Sequence, residues 1–204
     1  NAHGYLVHQF LSPLSNMRNA AYGGDFAGRT RFPLEIAEAI RKVIPQGMPL
    51  FLRVSAVDGI DGGWTMDDTV AYAKELKTRG VDVIDCSSGG LVGSATVARI
   101  KRTWGFQVPY AERVRREAEM MSMAVGLIVE PSHAEEILQK GQADLIAIAR
   151  EALVNPCWPQ MAEVALGRPM TEALDDWTIQ YGWWLKHRER SIADIRADEA
   201  AARK

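Results

Sequence analysis

The sequence predicts an α/β protein with a parallel sheet. Four short runs are almost continuously apolar, and the stretches between them repeat apolar residues at helical spacing. Continuous hydrophobicity marks strands covered on both faces, the habit of parallel sheets, whereas a half-wetted antiparallel strand alternates. Helix start and stop signals fall between the runs, which gives a leading helix and then strand–helix units in succession.

Along the chain, Ile36, Ile40, Val43 and Ile44 form the apolar stripe of the leading helix. The first strand is read at 49–56 (PLFLRVSA). Thr65 with Asp67 and Asp68 then opens a helix whose stripe is Val70, Ala73 and Leu76. Gly80 stops it before the second strand, 81–86 (VDVIDC). Val114, Ala118 and Met121 mark the next helix, and 123–129 (MAVGLIV) the third strand. Ser132 and Glu135 have capping-box spacing ahead of Ala134, Ile137 and Leu138. Gly141 precedes the fourth strand, 144–149 (DLIAIA). Beyond Pro169 an aromatic cluster (Trp177, Tyr181, Trp183, Trp184) leads into a charged tail. The expected organisation is a partial barrel domain over 1–170 and this C-terminal segment over 171–204.

Composition narrows the class. With 204 residues, 47% hydrophobic and 25% charged, the chain suits a globular domain with a core. A net charge of −2 offers little to a polyanion, so neither nucleic acid nor an anionic membrane is an expected partner. No apolar run approaches the roughly 20 residues that span a bilayer, so a soluble protein is expected. Cys86 and Cys157 are too few for a disulfide framework and fit a reducing, cytoplasmic setting. No metal site is expected.

Periodicity leaves two arrangements open, a doubly wound sheet or part of a (β/α)8 barrel. No GxGxxG follows a strand, which removes the main sign of a dinucleotide-type open sheet. A whole barrel takes about 250 residues, and four strands would be half of one.

Several residues invite chemistry. His3 and Tyr5 sit two apart in NAHGYLVHQFLSPLSN, an imidazole and a phenol beside a flexible Gly4. His8, in the same stretch, suits a loop-bracing role. Arg53 interrupts an apolar strand. If buried it needs an anionic partner, either Asp85 on the next strand or a ligand at the strand's end. Gly126 allows close backbone approach, and Ala149 with Arg150 ends the fourth run where barrels often bind phosphate. The Ser87-Ser88-Gly89-Gly90 turn reads equally as a polar loop or a ligand contact. No lysine lies in the four strand runs, which argues against a Schiff-base lyase.

The opening stretch resembles the loop after the fourth strand of the old yellow enzymes, where a His-x-x-His/Asn-Gly-Tyr motif faces the flavin. His3, Gly4 and Tyr5 match its second half, and the motif's first histidine would precede Asn1. Tyr22-Gly23-Gly24, Arg29-x-Arg31-Phe32, the DCSSGG turn and the ADLIAIAR end are also similar to the family. Ala20, Gly28 and Ala149 stand where it usually has Asp, Asn and Gly. The resemblance implies the C-terminal half of a (β/α)8 TIM barrel, strands 5–8 with their helices. It also implies FMN as cofactor, NADPH or NADH as reductant and enone-type small molecules as substrates. His3 would then polarise the substrate oxygen and Tyr5 supply a proton. Arg53 would contact the flavin ring, and Gly126, Ala149 and Arg150 its phosphate. The full-length parent is expected to be a homo-oligomer, with Trp183 or Trp184 lining a partner's pocket or packing on its own barrel. The half-barrel alone is expected to be inactive, or to serve as a non-catalytic module that assembles with a complementary half.

Overall fold

The computed structural model describes residues 1–91 and 100–203. They form two compact units, residues 1–129 with 133–148, and residues 130–132 with 149–204. The first unit holds a four-stranded parallel sheet in the order β1-β2-β3-β4. Its strands are β1 (Phe51–Ser55), β2 (Val83–Ser87), β3 (Met121–Ala124) and β4 (Leu145–Ile146). Helices α1 (Leu6–Leu11) and α2 (Phe26–Val43) precede β1, while α3 (Met66–Thr78) and α4 (Val108–Glu117) lie between later strands. Helix α5 (Pro131–Gln139) leads to β4.

Register sorts the strand residues into two faces, because paired residues in a parallel ladder point the same way and successive residues alternate. Val54, Ile84, Cys86, Ser122 and Ala124 share one face and are all buried. Helix α4 packs on β2 and β3, and α3 packs on α4 and α2. The opposite face carries Phe51, Arg53, Asp85, Met121 and Met123. It is partly open: Phe51 is 45% and Met121 49% exposed, while Val83 between them and Asp85 are buried. Near-continuous hydrophobicity thus led to strands of the right kind, but only one face is covered within the described residues.

Local chemistry explains most boundaries. Thr65 caps α3 through a capping box with Asp68, each side chain bonding the other's backbone N–H. Other boundaries differ from the sequence reading. The third strand starts at Met121, a residue of the preceding helix by sequence pattern, because α4 ends at Glu117 and Glu119 takes φ +50°. That strand ends at Ala124, ahead of left-handed Gly126 and Leu127. Ser132 lies inside α5, one residue past its start, and is not a cap. On α2 the buried face is Thr30, Pro33, Leu34 and Ala37, whereas Ile40 and Val43 of the expected stripe are exposed. The stripe at 36–44 therefore lies beside the contact face instead of on it.

The second unit is helical: α6 (Arg150–Val154), α7 (Trp158–Ala165), α8 (Met170–Ala173), a 3-10 turn (Leu174–Asp176) and α9 (Ile179–Ala202). Arg168 ties α7 to the turn through Glu163 and Asp176, and Lys186 of α9 pairs with Asp175. On α9, Trp183 packs edge-to-face on Trp184 and against His187, and both tryptophans are exposed. Among the described residues no helix is long and apolar enough to cross a membrane.

Candidate functional site

The opening loop is held at the C-terminal ends of β1 and β2. His3 takes φ +56° and Gly4 φ +77°, two consecutive left-handed residues. Such a backbone costs about 1–3 kcal/mol at a non-glycine and persists only when its surroundings hold it. Here they do. His3 N–H donates to Ser55 Oγ at 2.9 Å, and Ser55 Oγ donates to Gly89 O at 2.6 Å. Gly4 N–H donates to His8 Nδ1 at 2.9 Å, and Gln9 Nε2 donates to Gly4 O at 2.7 Å. The Gly89-Gly90 turn closes over the loop: a Cβ on Gly90 would sit 2.3 Å from His3 Cα, and one on Gly4 would sit 2.4 Å from Gly90 O.

His8 is wholly buried and braces this loop. Because Nδ1 accepts from a backbone N–H, its proton is on Nε2, which donates to Asp58 Oδ1 at 2.8 Å. Ser12 Oγ and Trp64 N–H donate to Asp58 Oδ2 at 2.6 and 2.7 Å. Burial pushes the Asp58 carboxyl up, but the bonds from His8, Ser12 and Trp64 outweigh it and hold it below the usual range. Asp58 gave no signal in the sequence, since VDGIDGG reads as a turn. Ser55 and Gln107 gave none either.

His3 Nε2 lies 2.6 Å from Ser87 Oγ. Burial, followed by the charge of Arg53, lowers the imidazole pKa and favours the neutral ring. Tyr5 stands beside it, 75% exposed. A cleft of about 410 Å³ is lined by His3, Gly4, Tyr5, Gln9, Leu14 and Gly90 among others. The structure therefore brings together the imidazole and phenol that the motif put two residues apart.

Arg53 is not buried, contrary to the expectation from its apolar strand. It lies on the open face of the sheet with its side chain 44% exposed and pairs with Asp85 across the β1–β2 register. Its Nε donates to Asp85 Oδ2 at 2.6 Å, while the buried Oδ1 of the same carboxylate has no partner among the described residues. Gly126 takes φ +122°, and a Cβ there would meet Gln107 Nε2 and the Phe106 ring at 2.9 Å. Its missing side chain thus makes room for protein. Its N–H has no acceptor among the described residues. In the second unit, Ala149 and Arg150 are exposed at the start of α6, and Arg150 has no ion pair among the described residues.

The model of the NADH:flavin oxidoreductase / NADH oxidase family matches residues 1–168. The chain belongs to this family. Its members use FMN with NADPH or NADH as reductant. An NADPH dehydrogenase from Geobacillus sp. (strain WCH70) is 48% identical over 184 residues, covering 89% of this chain and 51% of that protein. The NADPH dehydrogenase of Bacillus subtilis (strain 168) is 47% identical over 182 residues, with 89% and 51% covered. The chain thus spans about half the length of the curated relatives it matches. Among solved structures, a 2-naphthoyl-CoA reductase complexed with 2-naphthoyl-CoA aligns with TM-score 0.69 and 28% identity, over 82% of this chain and 25% of that one. Morphinone reductase in complex with tetrahydroNAD aligns with TM-score 0.60 and 24% identity, over 82% and 43%, a likeness of fold alone.

The open sheet face fits the family's flavin. The half-exposed Arg53 guanidinium presents N–H donors on this face, and the carbonyl oxygens of an isoalloxazine's pyrimidine edge are acceptors that suit it. Arg150 and the free Gly126 N–H are each of the chemistry that binds phosphate.

Proposed function

We propose that this chain forms the C-terminal half of a (β/α)8 flavin barrel, β1–β4 serving as strands 5–8. The assembled barrel reduces the activated C=C bond of α,β-unsaturated carbonyl compounds. The observation that carries this reading is the His3–Tyr5 pair held on a braced, left-handed loop beside the Arg53–Asp85 face.

The chemistry supplied by bound FMN is transfer of two electrons and one hydrogen from NADPH or NADH to the alkene β-carbon. The residues of this chain do the rest. Arg53, oriented by Asp85, would hold the ring edge and supply a positive charge beside it. For the phosphate, Gly126 of the first unit, and Ala149 and Arg150 of the second, would each offer a donor. The His3 imidazole donates an N–H to the substrate carbonyl oxygen as negative charge builds there. The Tyr5 hydroxyl gives its proton to the α-carbon, a reasonable acid for an enolate-like base.

A chimera tests this, with the chain replacing the matched segment of the Bacillus subtilis relative. The expected product binds FMN and couples NADPH oxidation to reduction of 2-cyclohexenone. Removing the His3 donor should lower kcat by about 10²–10³, and Tyr5→Phe by about 10²–10⁴. A folded chimera that binds no flavin, or leaves the enone untouched, sinks the reading.

A second reading is favoured by the open face of the sheet and its two edge strands. Here the chain is a non-catalytic half-barrel that binds FMN phosphate or assembles with a complementary half. On either reading the chain by itself turns over no NADPH. Light scattering with and without FMN tests whether such a module pairs with itself: a mass that stays that of one chain excludes self-pairing.

A further inference from the structure

Ser87 and its neighbours carry information about His3 that the motif does not. A neutral imidazole has one N–H, so it presents a donor at Nδ1 or at Nε2 but not both. His3 Nε2 faces Ser87 Oγ, and Nδ1 has no partner among the described residues. Only the tautomer with its proton on Nδ1 offers that free nitrogen as a donor. The other tautomer spends its proton on Ser87 and leaves Nδ1 a bare acceptor.

Which tautomer forms is decided one step further back. Gln107 is buried, and its Nε2 lies 3.0 Å from Val125 O. A backbone carbonyl only accepts, so the amide NH2 faces Val125 and Oε1 faces the serines. Gly126 leaves the space in which that amide sits. Ser88 Oγ donates to Oε1 at 2.7 Å, which satisfies it. Ser87 Oγ is 3.3 Å from the same oxygen but 2.6 Å from His3 Nε2. Its single proton therefore has a strong acceptor in the imidazole and a distant, already bonded one in the amide. O–H donor bonds centre near 2.7–2.8 Å, roughly, and 3.3 Å lies outside their range.

We propose that Ser87 is a positioning residue: with Gln107 Oε1 already taken by Ser88, it donates to His3 Nε2 and fixes His3 as the Nδ1–H tautomer. This rests on the reading of His3 as the donor to the substrate oxygen and names the atom that donates. Loss of the Ser87 hydroxyl leaves Nε2 without a donor. The ring then exchanges between tautomers and presents a donor to the cleft only part of the time.

The test is a long-range 1H–15N correlation on the chain labelled at histidine, without flavin or substrate, above the pH of histidine titration. His3→Gln assigns the signal among the four histidines of the chain. The expected wild-type spectrum has a protonated Nδ1 and an unprotonated Nε2 at His3. In Ser87→Ala both shifts should move toward the averaged or Nε2–H pattern, with His8 still in its Nε2–H form as proof that the loop is intact. A wild-type His3 protonated on Nε2 overturns the proposal without any variant. So does an Nδ1–H signal unchanged in Ser87→Ala. The chimera assay stands apart from this readout. A fixed tautomer in a protein that reduces no enone would refute the catalytic reading and leave the Ser87 lock standing.

Discussion

The two faces of the sheet differ in what they are made to do. The helix-covered face is formed by Val54, Ile84, Cys86 and Ala124, all essentially inaccessible to water. The open face alternates with it residue by residue, yet carries Phe51, Arg53, Asp85, Met121 and Met123. The first face stabilises the unit. The second carries the Arg53–Asp85 ion pair, with the guanidinium half exposed. A one-residue slip of register would exchange the two roles, so the burial pattern of one face fixes the chemistry of the other.

The largest effect that sharpens this contrast is a pair of truncations. Ile84→Ala removes a fully buried side chain under α4 and should cost about 3–4 kcal/mol, within the range for core Ile-to-Ala changes. Met121→Ala on the open face of the neighbouring strand should cost under about 1 kcal/mol. Urea denaturation of both variants reads the difference directly. Equal losses would mean that the open face is covered in solution, and the distinction would fail.

The end of the sheet is a third environment, polar but as buried as the covered face. Asp58 there accepts three hydrogen bonds, from His8, Ser12 and Trp64. Asp58→Ala leaves all three donors unmet and should cost about 3 kcal/mol. Its pH dependence has a defined sign. The folded carboxyl titrates below its unfolded value, so its contribution is full above the ordinary carboxylate value of about 3.9. It is lost as pH falls through the lower, folded value. Acid titration of stability should therefore show a loss below about pH 4 that is absent in Asp58→Ala. A variant that loses stability over the same window as the wild type would assign the acid transition to other groups.

The same division explains what was legible in the sequence. Strands β1 and β2 fall within or beside their apolar runs because covered-face residues dominate local hydrophobicity. The capping box at Thr65 is likewise local, and it was found. What escaped depended on distant partners. Met121 read as a helical residue because the left-handed turn at Glu119, which ends the helix, has no side-chain signature. Arg53 read as buried because its strand is apolar, but burial requires a second layer, and only one face has it. The motif gave His3 and Tyr5. Asp58, Ser55 and Gln107 matter only through bonds to residues 50, 52 and 19 positions away, which spacing along the chain does not encode.

The smallest effect tests the covered face itself, which contains one polar exception. Ser122 is fully buried there, and its Oγ has no hydrogen-bond partner among the described residues. Its backbone is satisfied, since Ser122 N–H donates to Asp144 Oδ2 at 2.9 Å, so the hydroxyl alone is unmet. Burying such a group without a partner is unfavourable, and removing it takes away the desolvation cost without opening a cavity larger than one oxygen. Ser122→Ala should therefore raise stability by about 0.5–1 kcal/mol, opposite in sign to the neighbouring Ile84→Ala. A loss instead of a gain in the denaturation midpoint would show that the hydroxyl has a partner. The face that serves only for packing would then contain a polar contact of its own.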